Sequence, residues 1–163
     1  MLDLRRLYST SYLVLSIGVT WAALSQDRVN YPSWALVCPA QFNAFHHAVI
    51  VGTYTYIIPF ALLSLPAGIG MIWLRHPAIS RSLVFFVFAI GLFGGAITTR
   101  LAIPIQKQMD YGDHQHIPAL VERLIAIDLY WRVIPGLLAL AALAVMTYQF
   151  SDSSERTVRS RPE

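Results

Sequence analysis

The sequence predicts an all-α integral membrane protein, a bundle of four transmembrane helices. The chain has 163 residues, of which 56% are hydrophobic and only 13% are charged, whereas about a quarter of a soluble domain's residues are charged. The apolar residues fall in four long blocks, and about 20 helical residues are enough to cross a hydrocarbon core of about 30 Å. No block shows the alternating polarity of a strand.

The blocks predict spans at about residues 7–24, 46–74, 83–105 and 124–149. Residues 1–150 are expected to form one transmembrane domain, and the polar segment 151–163 a disordered cytoplasmic tail. The first block follows two arginines, as in a secretory signal peptide. Its apolar stretch is longer than the hydrophobic region of a typical signal, so we interpret it as an uncleaved first span.

The basic residues predict the orientation in the membrane. Seven of them lie before span one, between spans two and three, or after span four: Arg5, Arg6, Arg75, Arg81, Arg156, Arg159 and Arg161. Only Arg28, Lys107 and Arg123 fall on the other side. The positive-inside rule therefore predicts that both termini are cytoplasmic, that residues 25–45 and 106–123 face outward, and that the chain is a multi-pass protein of the cell inner membrane.

The same distribution bears on partners and on redox chemistry. The net charge of +3 is accounted for by membrane topology, so no nucleic-acid partner is expected. The single cysteine, Cys38, cannot form a disulfide within the chain, and no C-x-x-C redox motif is present.

Ionisable side chains concentrate in one half of the predicted bundle. His46 and His47 open the second span, Arg100 lies near the end of the third, and Asp128 and Arg132 lie in the outer part of the fourth. Asp128 and Arg132 are four residues apart on one helix, so they share a face and are expected to form an ion pair. Because ionisable groups in membrane spans usually face a bundle interior, we predict a catalytic cluster of His46, Arg100, Asp128 and Arg132.

Other residues near this cluster suggest a ligand-binding surface. Trp34 and Trp131 offer flat apolar walls, and Tyr54 follows His47 by seven residues and so shares its face. His46, whose unperturbed pKa is about 6.5, is suited to act as a base at neutral pH. One carboxylate neutralises only one of two guanidiniums, so the remaining positive charge predicts an anionic ligand or a developing oxyanion.

Two alternatives remain open for the same residues. The aromatic and charged residues at the start of span four also fit an interfacial belt with a snorkelling arginine. A phospholipid phosphate would satisfy the positive charges as well as a substrate oxyanion would.

No cofactor is expected, but two possibilities are left open. The polar segment from Asp110 to His116 contains His114 and His116 and offers nitrogen and oxygen ligands to zinc, copper or iron. A haem on the histidines of span two is the other. Neither spacing is distinctive.

Span three carries a G-x-x-x-G motif at Gly91 and Gly95. Such glycines let two helix backbones approach closely in a membrane. We predict that they pack within the monomer, with dimerisation as the alternative.

Four short motifs in order along the chain resemble a known family. They are YPSW from Tyr31, FNAFH ending at His46, PIQ from Pro104, and the pair Trp131 and Arg132. With them, nearly the whole chain resembles the small four-helix membrane proteins grouped with the fungal anthrone oxygenases.

The resemblance implies a reaction and a set of roles. An anthrone would be oxidised to an anthraquinone by molecular oxygen, without a bound metal or flavin. His46 would be the base, and Arg132 and Arg100 would stabilise the anion. The chain departs from the family, in which many members have asparagines at the positions of Arg100 and near Asp128.

Three function classes follow from the sequence. The first is a membrane oxidoreductase acting on a lipophilic phenolic or quinone-like molecule near the outer leaflet. The second is an accessory or assembly subunit of a larger membrane complex, and the third is a protein that binds or transports a small amphipathic ligand. The expected partners are membrane lipids, a lipophilic aromatic small molecule, and further copies of the chain or other subunits.

Overall fold

Four long apolar helical runs form the framework of the protein. The computed structural model describes residues 3–111 and 116–159, with side chains described as far as Asp152. Across these residues the chain is helical, and four runs are long and apolar enough to cross a membrane. They are Leu4–Trp34, Pro39–Leu74, Arg81–Tyr111 and Ile117–Asp152, named spans 1 to 4. The prediction of an all-helical chain with four potential membrane spans is thereby confirmed.

Each span consists of shorter segments joined end to end. The α-helices are α1 Leu4–Ser25, α2 Tyr31–Trp34, α3 Phe42–Tyr56, α4 Ile58–Leu74, α5 Arg81–Ile97, α6 Ile103–Tyr111, α7 Ile117–Asp128 and α8 Ile134–Arg159. Three wider, π-helical turns connect α1 to α2, α5 to α6 and α7 to α8: Gln26–Asn30, Thr98–Ala102 and Leu129–Val133. A short 3-10 turn at Pro39–Gln41 opens span 2.

The helices extend well beyond the apolar blocks. Much of the predicted connections 25–45 and 106–123 is helical, because backbone hydrogen bonding continues where the side chains become polar. At the C-terminus α8 continues to Arg159. The sequence predicts a disordered tail from residue 151, whereas the structure describes helix as far as Arg159, and residues 160–163 lie outside the described part of the chain.

A proline accounts for the position of each π-helical turn. Pro32, Pro104 and Pro135 are the second residues of α2, α6 and α8, and each follows the start of its turn by six residues. Proline has no backbone N–H, and its ring clashes with the carbonyl four residues earlier, which here falls inside the turn. Widening the turn keeps the helix continuous past the clash. In span 2 the helix is instead interrupted at Ile57, two residues before Pro59.

The spans pack in a ring, with span 1 against spans 2 and 4, and span 3 against the same two. One end of the bundle is called the terminal end. There the link between α4 and α5 contacts both α1 and α8. Ser9 Oγ accepts a hydrogen bond from the His76 amide at 2.8 Å, and Gln149 Oε1 accepts one from the Ser80 amide at 3.1 Å. The chain therefore begins, and α8 leaves the bundle, at the same end.

Two groups of buried residues fill the ring, one near each end. The terminal end is filled by a cluster of purely hydrophobic character: Tyr12, Leu13, Met71, Ile79, Val84, Val87, Ala142, Leu143 and Met146. The opposite end, the polar end, contains a second cluster: Tyr31, Trp34, Phe42, Ala102, Ile105, Met109, Ile117, Val121 and Leu124. The polar end also buries the charged side chains described below.

Close helix packing occurs at glycines other than the predicted pair. A Cβ atom at Gly91 or Gly95 would meet nothing within 4 Å, so the predicted packing of this motif inside the monomer is not found. A Cβ at Gly68 would lie 2.8 Å from the Phe88 ring, and one at Gly70 would collide with Tyr8. Span 2 is therefore tightly packed against span 3 at Gly68 and against span 1 at Gly70.

Candidate functional site

The predicted ion pair is present at the polar end. Arg132 donates a hydrogen bond from one terminal guanidinium nitrogen to Asp128 Oδ2 at 2.8 Å. Asp128 has no exposed surface, and the side chain of Arg132 is 16% exposed. The ion pair and its orientation toward the bundle interior were both predicted from the sequence, and both are confirmed.

Tyr31 joins this pair from span 1. The same nitrogen of Arg132 donates to the Tyr31 hydroxyl at 3.4 Å, and Gln106 donates to that hydroxyl from α6 at 3.5 Å. Tyr31 is buried. The hydroxyl thus connects spans 1, 3 and 4 at one point, a role that the sequence analysis did not assign to it.

Asp27 is a second buried carboxylate of the same network. It lies on the first π-helical turn and is buried, within electrostatic range of both Arg132 and Asp128. Arg28 Nε lies 3.0 Å from Asp27 Oδ2, but neither carboxylate oxygen has a hydrogen-bond partner in acceptable geometry. The Arg28 contact is therefore an attraction of charges without a directed hydrogen bond.

The buried His46 forms a separate pair with Asp110, whose side chain is 37% exposed. Nδ1 of His46 lies 2.6 Å from Asp110 Oδ1. The ring stacks on Phe42, with centroids 5.3 Å apart, and meets the edge of Trp34 at 4.7 Å. Its other nitrogen, Nε2, is buried and has no hydrogen-bond partner among the described residues, and the same is true of Trp34 Nε1.

Aromatic rings connect the two pairs. Trp34, which touches His46, also meets Tyr31 edge-on with centroids 4.8 Å apart. His46, Trp34, Tyr31 and Arg132 therefore form a continuous chain of contacts from span 2 to span 4, ending at Asp128. Within the described part of the chain, no hydrogen bond or ion pair joins His46 directly to Asp128 or Arg132.

Four predicted site residues lie outside this chain of contacts. Arg100, His47, Tyr54 and Trp131 are exposed. His47 follows a buried histidine and is rotated from it by about 100°, and Tyr54 shares its face. Arg100 lies two residues before the buried Ala102, so it points to the far side of its helix.

Trp131 lies in the last π-helical turn, which rotates it away from the face of Asp128. Its ring packs beside Phe93, with centroids 6.1 Å apart. It therefore covers the outside of spans 3 and 4, in contrast to its predicted position beside Asp128.

All three π-helical turns lie at the polar end, and each carries charge. Asp27 and Arg28 are on the first turn, Arg100 is on the second, and Arg132 is on the third. Such turns in α-helices occur frequently at functional sites. Each turn is followed by a proline that can be seen in the sequence. The proline after the first turn is the signal that could have directed attention to Asp27 and Tyr31.

The segment considered as a possible metal site lies only partly within the described residues. Asp110, which was counted among its ligands, is the partner of His46. His116 is exposed at the start of α7, while His114 lies outside the described residues. Across residues 3–111 and 116–159, no group of three or more histidine, cysteine or acidic side chains is placed to hold a metal ion.

Comparisons of the chain with protein-family models, with curated proteins and with solved structures found no match.

Proposed function

We propose that the chain is a small membrane oxidoreductase that acts on a lipophilic phenolic or quinone-like molecule, with His46 as the base. The observation that supports this most directly is the pairing of His46 with Asp110, which leaves Nε2 buried and unbonded. A carboxylate can only accept hydrogen bonds. Nδ1 must then carry the hydrogen, and in the neutral ring the lone pair lies on Nε2.

The surroundings of His46 suit proton removal from an apolar molecule. Phe42 and Trp34 hold the ring, and Asp110 fixes its tautomer and stabilises the imidazolium that forms, as a carboxylate does in other histidine-based sites. Trp34 Nε1 is a donor without an acceptor beside this base. We infer that it donates to the oxyanion that develops on the conjugated carbonyl oxygen when the neighbouring CH₂ group loses its proton.

The oxidation balances with molecular oxygen as the oxidant. His46 takes a proton from an activated CH₂ group, and the electron-rich anion passes electrons to oxygen. Overall the CH₂ group becomes a carbonyl, which retains one oxygen atom, and the second oxygen atom leaves as water. The family resemblance supports this reaction, and the proposed role of Trp34 replaces that of Arg100, which is exposed.

The test is oxidation of anthrone by the purified chain in proteoliposomes, followed by absorbance and by oxygen consumption. We expect His46→Ala to lower turnover at least about tenfold, about 1.4 kcal/mol of barrier. Asp110→Asn should lower it too and shift its pH profile, because the ring loses the partner that fixes its tautomer. Gln108→Ala, an exposed change on the helix of Asp110, is the matched control. Full turnover in both His46→Ala and Asp110→Asn would exclude this mechanism.

We also propose that both termini face the cytoplasm and that the polar end faces outward in the inner membrane. The support is the distribution of basic residues, seven against three. Cys38 is exposed and lies at the polar end, so a membrane-impermeant maleimide should label it in intact cells. Labelling only after lysis would reverse the orientation.

A second candidate function is that of a subunit in a larger membrane assembly. The observation that favours it is the unpacked glycine face of span 3, where Gly91, Gly94 and Gly95 have open space at their Cβ positions. A stoichiometric partner retained on purification in mild detergent, and lost in a Gly95→Leu variant, would support this function. A monodisperse single chain that oxidises anthrone would support the first.

A further inference from the structure

The buried network at the polar end contains more negative than positive charges. Asp27 and Asp128 are 1% and 0% exposed, and the side chain of Arg132, which pairs with Asp128, is 16% exposed. Arg28 contacts Asp27 with a side chain that is 54% exposed, so water screens its charge. Arg100, the predicted second cation, is exposed. Among the described residues at this end, the buried network therefore has an excess of one negative charge.

The excess charge lies on atoms that lack partners. Both carboxylate oxygens of Asp27 and Oδ1 of Asp128 are buried without a hydrogen-bond donor. Ionised carboxylate oxygens are acceptors only, and leaving them unpaired in an apolar environment is costly. Their occupant must carry a hydrogen-bond donor or a positive charge, and the excess negative charge favours a cation. An anion such as a phosphate or a phenolate is excluded from this position.

The two carboxylates act on the same neighbours. Asp27 and Asp128 interact electrostatically with one another and with Arg132, and Tyr31 interacts with all three. Arg28 acts on Asp27 from the surface. The pair thus comes from spans 1 and 4, so a ligand held by it would couple those spans. Its position is separate from the pair of His46 and Asp110.

We propose that Asp27 and Asp128 bind one monovalent cation, either a proton on one carboxyl group or a sodium ion shared by the carboxylates. One positive charge neutralises the buried excess and gives the unpaired carboxylate oxygens a proton donor or a cation to contact. Oxygen atoms are the ligands that hard cations prefer. Because the cation binds the folded chain, its concentration sets part of the folding equilibrium.

The informative variant is Asp27→Asn. The oxygens of Asp27 accept no hydrogen bond from the described residues, so the substitution breaks no hydrogen bond. It removes the charge and the attraction of that charge for the exposed Arg28. The unfolding equilibrium is measured in mixed detergent micelles, first against pH at fixed sodium and then against sodium at pH 8, with N-methylglucamine maintaining the ionic strength. We expect the wild-type unfolding constant to fall about tenfold for each tenfold rise in the free concentration of the cation, once the folded chain is nearly saturated with it.

The Asp27→Asn variant should lose this dependence and be the more stable protein at pH 8 without sodium. A response to sodium at fixed pH identifies a sodium ion, and a response to pH alone identifies a proton. Glu122→Gln removes an exposed carboxylate at the same end and should keep the wild-type response. Asp128→Asn, which leaves an amide oxygen for Arg132, serves as the second variant.

Three results would overturn the proposal. They are an absent response in the wild type, an equal response in the wild type and both asparagine variants, and a loss of stability in Asp27→Asn at pH 8 without sodium.

Discussion

The two ends of the bundle bury polar groups in opposite ways. At the terminal end, Ser9 and Gln149 accept hydrogen bonds from backbone amides, and the core beside them is hydrophobic. At the polar end, Asp27, Trp34, His46 and Asp128 all bury atoms without a hydrogen-bond partner. The terminal end therefore pairs these polar groups with the backbone, while the polar end leaves several buried polar atoms unpaired among the described residues.

One group at the terminal end departs from this division. Nε of Arg75 is buried and lacks a partner within the described part of the chain. Burial, together with repulsion from Arg81 and Arg5, lowers the pKa of Arg75. Its side chain lies beside the backbone of His76, to which it donates a hydrogen bond at 3.3 Å.

The largest effect on stability is expected from Arg132→Leu. The substitution removes the guanidinium that pairs with Asp128 and attracts Asp27, and it leaves both carboxylates buried. Breaking a buried ion pair costs about 3–5 kcal/mol. The free energy of unfolding in mixed micelles measures the loss. The matched control is Arg28→Leu, an exposed arginine in contact with the same carboxylate, which should cost less than about 1 kcal/mol. Equal losses of unfolding free energy in the two variants would mean that solvent screens the charge of Arg132 as fully as that of Arg28.

A comparable loss without an effect on catalysis is expected at the terminal end. Leu143 has no exposed surface, and Leu143→Ala removes packing at a cost of about 2–5 kcal/mol. Turnover per folded molecule should stay unchanged, because the site lies at the other end. Leu137→Ala, on the same helix but 54% exposed, is the control and should alter the unfolding free energy little. A large fall in turnover with Leu143→Ala would show that the two ends are coupled.

A smaller effect is expected from Gly70→Ala. The added methyl group collides with Tyr8, whose hydroxyl donates to the Ala67 carbonyl at 2.9 Å. Overpacking of this kind costs about 1–3 kcal/mol. Gly91→Ala meets open space and should leave the monomer as stable as before. If Gly91→Ala destabilises the protein more, the glycine face of span 3 packs against another chain.

The smallest effect on stability is expected from Trp34→Phe, together with a large effect on function. Nε1 forms no hydrogen bond, so removing this buried donor offsets much of the lost packing, and the net change should stay within about 1 kcal/mol. Turnover should fall at least about tenfold, since the oxyanion loses its donor. Trp21→Phe, at a tryptophan that is 66% exposed, is the control. Unchanged turnover in Trp34→Phe would remove Trp34 from the mechanism.

Hydropathy and spacing were sufficient for the parts of the molecule that depend on one helix at a time. The four apolar runs follow from block length, and the pair of Asp128 and Arg132 follows from a separation of four residues. Both inferences hold because a regular helix relates neighbouring side chains in a fixed way. They require no knowledge of how the spans are rotated about their axes.

Rotation is what the sequence analysis could not supply. Arg100 was expected inside and is exposed, and Asp27 was not considered and is buried. Asp110 was assigned to a loop because polar residues follow span 3, yet α6 continues to Tyr111 and brings it to His46. The errors at Arg100 and Asp27 concern which side of a π-helical turn faces the bundle, and the error at Asp110 concerns where a helix ends. Hydropathy is insensitive to both.

The prolines that cause these turns also shape the electric potential of the backbone. Pro32, Pro104 and Pro135 each lack the N–H that would bond a carbonyl oxygen one turn earlier. Three spans therefore bring backbone carbonyl dipoles, less fully compensated than in a regular helix, to the end that holds Asp27 and Asp128. These dipoles make the potential there more negative. A preference for cations and hydrogen-bond donors would then persist, in weakened form, even in a variant that has lost both carboxylates.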